Sequence, residues 1–222
     1  MQVLYHYNIC PFSRKVRFVL NEKKVPFTLH SEKFWEKRTN FLKLNPAGTV
    51  PLLIAKPNIK IIGSQNIIDF FEEVNNAPKL ICGNPLEKCE IRRIISWFDE
   101  KFYNEVSKIF LEEKILKFLE KKEAPHSQKL SSASDALGRH MQYLNYLLSK
   151  NQWITGSKIT LADLTAAAHI STIDYLGEIR WDKYELVKEW YSVVKSRPSF
   201  QDILQDIVVG FPPVKHYKEL DF

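Results

Sequence analysis

Two hydrophobic periods divide this chain of 222 residues. In the first third, short apolar runs alternate with amphipathic stretches. Val3–Tyr7 is apolar and aromatic apart from His6 and predicts a strand. Phe12, Val16, Val19 and Leu20 then recur at helical spacing. Phe27–His30 predicts a second strand, and Trp35 to Leu44 a short helical or irregular crossover that Asn45-Pro46-Ala47-Gly48 must stop. Pro51–Ile54 and Ile59–Ile62 predict two further strands about a Lys56-Pro57-Asn58 turn. Ser64 is expected to cap a helix carrying Ile67, Ile68, Phe71 and Val74. The order is βαβαββα, a compact α/β domain over residues 1–77.

Pro78 and the Cys82-Gly83-Asn84-Pro85 turn mark a linker, residues 78–85. Beyond it the period is helical for more than half the chain. Ile91, Ile94, Ile95, Phe98, Phe102, Val106 and Ile109 share one face, and Leu137, Met141, Leu144 and Leu148 another. Residues 86–222 therefore read as an all-α bundle with an extended tail, 208–222. The polar break Glu123–Ser127 separates its first two helices.

At 45% apolar and 13% aromatic residues, the chain can bury one large core or two modest ones. The N-terminus lacks a basic segment followed by an apolar one, and no window approaches the roughly 20 apolar residues of a membrane span. A soluble, unprocessed cytoplasmic protein that binds no membrane is expected. Cys10, Cys82 and Cys89 are an odd set without metal-like spacing, which argues for a reducing compartment and against a disulfide framework or metal site. Residues 1–80 carry 12 Lys and Arg against 6 Asp and Glu, whereas residues 81–222 carry 20 of each. A basic surface on the first third suits an anionic small molecule or an acidic protein partner. Nucleic acid is not expected, because the basic residues form no run and no recognition motif.

Cys10-Pro11-Phe12-Ser13 stands where the first strand turns into the first helix. A cysteine there meets unpaired N–H groups and the positive end of the helix dipole, which favour the thiolate. Ser13 occupies the place of a second cysteine, so adducts at Cys10 require a thiol from outside for their resolution. An inert buried cysteine beside a capping serine is the alternative.

Gly48-Thr49-Val50-Pro51 precedes the third strand. A proline at that entry suggests a cis peptide that turns the backbone of Val50 outward, where it can bind a peptide as an added strand. Ser64, at a helix start, offers its hydroxyl and the neighbouring N–H groups to a carboxylate.

In this order the residues resemble the glutathione transferase superfamily over essentially the whole chain. Cys-Pro-Phe-Ser matches the activating position of cysteine-type (omega-like) and serine-type members, Asn45–Pro51 the Asn-Pro-x-Gly-x-Val-Pro signature, and Ser64 the helix-opening serine. In the helical half, Thr160-Leu161-Ala162-Asp163 resembles the family's capping box, with Ile159 and Leu164 as a hydrophobic staple, so Asp163 is a folding residue. Trp190-Tyr191 and Arg197–Phe200 resemble the closing helices. The resemblance implies a thioredoxin-like first domain, a helical second domain and a homodimer. It further implies glutathione as co-substrate, Cys10 as the catalytic residue, and Phe12, Ser13, Val50, Pro51, Ser64 and Gln65 as binding residues. The second substrate is an unspecified electrophile or disulfide, and cysteine chemistry favours thiol exchange over conjugation. Tyr7 is a competing activator, less favoured because Pro-Phe after Cys10 fits the cysteine-type turn. Arg14 and Arg17 are read as helix-surface or interdomain ionic residues.

One position departs from the family. Gly63 stands where members usually carry Glu or Gln for the γ-glutamyl ammonium, a loss of roughly 1.5–3 kcal/mol unless Gln65 compensates. The tail from Gly210 to Phe222 is rich in proline and aromatic residues, which suits either packing back over the bundle or a docking peptide. With Trp97–Phe102 it resembles transferase-fold proteins that associate with the bacterial tubulin-like division filament as non-enzymatic scaffolds. Such a scaffold is the alternative function.

Overall fold

The structure is a computed structural model that describes residues 2–56, 59–75, 77–121 and 123–220. The first domain runs β1 (Gln2–His6), α1 (Pro11–Glu22), β2 (Phe27–Ser31), α2 (Thr39–Leu44), β3 (Leu52–Lys56), β4 (Ile59–Ile62) and α3 (Ser64–Val74), in the order expected. The crossover between β2 and α2 adds a single 3-10 turn, Phe34–Glu36. The sheet order is β2-β1-β3-β4, with β1 parallel to β2, and with β1 and β3 and then β3 and β4 antiparallel. Five strand ends differ from expectation by one or two residues, and two of them have a plain local reason. Strand β1 stops at His6 because the Tyr7 amide turns to Ser13 Oγ, 3.3 Å away. Strand β3 starts at Leu52 because Pro51 has no N–H to give the ladder. Pro57 and Asn58 of the expected turn lie outside the described residues.

The helical half begins with a long rod. Helices α4 (Pro85–Ser96), α5 (Lys108–Leu111) and α6 (Lys117–Lys121) are joined by π-helical stretches at Trp97–Ser107 and Glu112–Leu116. Asn84 and Glu87 close a capping box at its start. Helices α7 (Ser127–Leu148), α8 (Leu161–Tyr175), α9 (Glu185–Lys195) and α10 (Pro198–Leu204) follow.

Every residue of α8 is buried. Its polar side chains survive there because they are bonded: Thr165 Oγ1 donates to Leu161 O at 2.7 Å and Ser171 Oγ to Ala168 O at 2.8 Å. Asp163 accepts from Thr160 N at 2.8 Å, Ile154 N at 2.9 Å and Trp190 Nε1 at 3.1 Å, as a folding residue should. Helix α1 packs on α8 with Val16, Phe18, Val19 and Leu20 wholly buried, each stabilising by about 1.5–3 kcal/mol. One contiguous apolar core therefore runs from β1 to the tail.

The basic first third is less basic at its surface than its composition suggests. Arg14, Lys15, Arg17 and Lys23 are all buried. Arg17 grips both oxygens of Asp206 at 2.8 and 2.7 Å, and Arg14 Nε lies 3.6 Å from the same carboxylate. Lys15 pairs with Asp99 and Lys23 with Glu72. Of the two readings of Arg14 and Arg17, the interdomain one holds, since isolated charges do not survive burial.

The tail is not a free docking peptide over residues 208–220. Tyr217 is wholly buried and its hydroxyl donates to Ile203 O at 3.3 Å. Tyr175 Oη donates to Phe211 O at 2.6 Å and accepts from Val208 N at 2.9 Å. Val214 sits so close to Gly177 that a Cβ there would meet its Cγ1 at 2.5 Å. Phe211, Val214 and Tyr217 of this segment pack over the bundle, while Pro212 is exposed and Asp221 and Phe222 lie outside the described residues.

Candidate functional site

Cys10 forms the N-cap of α1, with Pro11 at the first helical position, where its missing N–H costs nothing. The sulfur belongs to a small apolar cluster with Phe41, Val50 and Leu52, apart from the main core. It lies 4.0 Å from the Val50 carbonyl oxygen. The peptide between Val50 and Pro51 is cis, and the Val50 amide has no hydrogen-bond partner among the described residues.

A groove of about 400 Å³ opens over these atoms, mostly apolar, with Cys10, Phe12, Val50, Pro51 and Ser64 in its wall. Five of the expected site residues thus come together. Tyr103, on the π-helical stretch of the rod, closes the groove from the helical side, its ring 4.7 Å from that of Phe12. Burial and the nearby Cys10 push the Tyr103 phenol up to about 12, so it stays protonated. Of Phe98, Phe102 and Tyr103, which the helical spacing offers as residues that could face a second-substrate pocket, Tyr103 lines the groove while Phe98 and Phe102 are buried in the core.

Four expectations need correction. First, Ser64 does not cap α3: Gly63 is the N-cap, and Ser64 is the first helical residue, with its Oγ unpartnered among the described residues and open to the groove. Second, Ser13 does not line the groove. It is fully buried in the first turn, where its hydroxyl holds the Tyr7 amide. Third, Gln65 is engaged elsewhere, accepting from Lys15 Nζ at 3.1 Å and donating to Asp69 Oδ1 at 2.8 Å. Fourth, burial works against the thiolate expected at Cys10. Burial raises its thiol, outweighing the downward pull of the Ser13 amide and hydroxyl, the Phe12 amide and Arg14. The helix-end effect operates, but desolvating a sulfur anion costs more.

Tyr7 sits outside this groove. Its ring packs edge-on against Trp35, with centroids 4.7 Å apart, and it lines a separate cavity with Asn8, Leu119 and Ile207. Burial and Tyr175 push its phenol up to about 12.

Behind Phe12 lies a polar network that sequence reading missed. Lys15 Nζ lies 2.6 Å from Asp99 Oδ2, and Asp99 Oδ1 lies 3.2 Å from His169 Nε2. His169 Nδ1 is 3.4 Å from Ser107 Oγ. Burial lowers Lys15 and His169, while Lys15 and His169 together hold Asp99 below the usual carboxylate range against the burial that raises it. The network pins α1, the rod and α8 together one turn from Cys10.

The glutathione S-transferase N-terminal domain family matches residues 4–79, and the C-terminal domain family matches residues 111–206. The chain is similar to FtsZ-localized protein A of Caulobacter vibrioides, 39% identical over all of this chain and 98% of the relative. The solved structure of FzlA from C. crescentus superposes with a TM-score of 0.96 over 100% of this chain and 99% of that one. A glutathione S-transferase structure from Rhodospirillum rubrum does so with a TM-score of 0.96 at 37% identity, covering all of both chains. No described helix is long and apolar enough to cross a membrane. Thiol, strand edge and helix start share one groove between a sheet domain and a helical domain, and this chain belongs to the glutathione S-transferase family.

Proposed function

We propose that this chain binds glutathione or a closely related thiol in the groove and exchanges disulfides with it at Cys10. The observation that carries the reading is the convergence of the Cys10 sulfur, the unpaired Val50 amide and the unpartnered Ser64 hydroxyl on one wall. In this reading Val50 pairs with the ligand's cysteinyl backbone, Ser64 and the α3 amides hold a carboxylate, and Phe12 and Pro51 shape the wall. The Cys10 thiol loses its proton to solvent, and the thiolate attacks a mixed disulfide R–S–S–G. A Cys10–S–S–G bond forms as the R–S⁻ group leaves and takes up a proton. A second glutathione thiolate then attacks that bond, releasing oxidised glutathione and restoring Cys10. Because burial raises the thiol, the exchange is slow at neutral pH and quickens toward alkaline pH. Mass spectrometry after incubation with oxidised glutathione tests this: a single glutathione adduct that Cys10→Ser removes is expected. An adduct confined to Cys82 or Cys89 sinks the reading.

A specific observation also favours a scaffold. The relative that shares 39% of its residues over the full chain is named for its localisation to FtsZ, and a raised, buried thiol is what a fold without catalysis tolerates. In that reading a cytoplasmic homodimer, joined through exposed Phe70, Val74 and Leu86, presents a surface to an acidic division filament. Cosedimentation with FtsZ polymers, unchanged by Cys10→Ser, is its test.

A further inference from the structure

The groove has one polar end, and the chemistry of that end is one-sided. Helix α3 is 11 residues long and opens into the groove at Ser64. The Gly63 amide is taken by Pro51 O at 3.1 Å and the Ile67 amide returns to Gly63 O at 3.2 Å. The amides of Ser64, Gln65 and Asn66 have no acceptor among the described residues, as expected of a helix start. Ser64 is 8% exposed and its hydroxyl is unpartnered among the described residues. An unpartnered hydroxyl on a residue more than nine-tenths buried and lining the groove, beside three free amides at a dipole's positive end, asks for an anion.

Among the described residues, no carboxylate lines the groove to pair with a cation at this end. Of the nearest acids, Asp99 is held by Lys15 and His169, while Asp69 takes the Gln65 amide and lines a different cleft with Glu72 and Glu73. Gln65 turns its oxygen to Lys15 and its amide to Asp69, and is not among the described residues lining the groove. Gly63 has a φ of 88°, where side-chain-bearing residues are strained, and as a glycine it offers no acid at that position.

We propose that the groove selects a thiol whose far end carries a carboxylate and no ammonium. The claim rests on the thiol-binding reading above and narrows its substrate class. Glutathione places an ammonium and a carboxylate on the same carbon. In this groove the carboxylate is satisfied, and the ammonium is left against the positive end of α3 without an acceptor.

Calorimetry on the full chain with three tripeptide thiols decides the matter: glutathione, its deaminated analogue glutaryl-cysteinyl-glycine, and its decarboxylated analogue 4-aminobutyryl-cysteinyl-glycine. The expected result is that the glutaryl thiol binds roughly tenfold tighter than glutathione and the aminobutyryl thiol fails to bind. Ser64→Ala should weaken the glutaryl thiol by about tenfold without unfolding the protein, which a melting curve checks. Glutathione binding as tightly as the glutaryl thiol, or more tightly, overturns the selectivity and leaves the thiol-binding reading standing. Failure of all three to bind overturns both.

Discussion

Lys15 Nζ lies 2.6 Å from Asp99 Oδ2, joining the first helix of the sheet domain to the rod of the helical half in a site that leaves the lysine wholly buried. A buried pair of this kind holds position more than it stabilises, because both ions were desolvated to form it. Removing one partner strands the other. Asp99→Leu should therefore cost about 3–5 kcal/mol in urea unfolding, while Lys15→Met with Asp99→Leu should recover most of that loss. A double variant no more stable than Asp99→Leu alone would mean that the cost lies elsewhere than in the stranded lysine.

Ser64→Ala separates folding from binding. The hydroxyl makes no bond within the fold, so the substitution should change stability by less than about 0.5 kcal/mol. A loss of about 1 kcal/mol or more in chemical unfolding would show that the hydroxyl caps α3 after all.

His6 gives the fold an acid-sensitive term. Burial, with Arg17 and His30 nearby, lowers its imidazole to about 3, so the folded state binds its proton less readily than the unfolded chain does. The stability it contributes is present above the unfolded value near 6.5 and is lost as pH falls from there toward 3. Between pH 7 and pH 5 that loss is about 2 kcal/mol. The variant His6→Phe should lose correspondingly less on acidification, measured by chemical unfolding at the two pH values. Equal losses in both proteins would remove His6 from the account.

Thiol reactivity should follow exposure and burial rather than helix position. Cys89 is exposed, whereas Cys10 is buried with its thiol raised. Iodoacetamide at neutral pH should modify Cys89 well before Cys10, with Cys10 labelling still rising toward about pH 9. Peptide mapping over time reads both rates. Labelling of Cys10 first would restore the thiolate that the sequence alone suggested.

The architecture was legible because it is written in local periods. The apolar run that makes β1, the three- and four-residue spacing along α1 and α3, and the turn chemistry of Asn45–Pro51 each act within a few residues. The Thr160–Asp163 box was equally readable, since a cap needs only its own helix. Four groove residues followed from the same local signals: Cys10 from a strand-to-helix turn, Val50 and Pro51 from a strand entry, and Ser64 from a helix start; Phe12 followed only from the family resemblance.

By itself, then, the amino-acid order determined which elements form and which backbone groups their ends leave unpaired, because those depend on neighbours along the chain. It did not determine the charge states or partners of the site. Whether Cys10 is a thiol or a thiolate depends on how much water reaches the sulfur, and Phe41, Val50 and Leu52 settle that from some 30 to 40 positions away. No local pattern around Lys15 points to Asp99, 84 residues downstream, which packs beside it. Desolvation and ion pairing are properties of the assembled volume, and only tertiary structure brings that volume together.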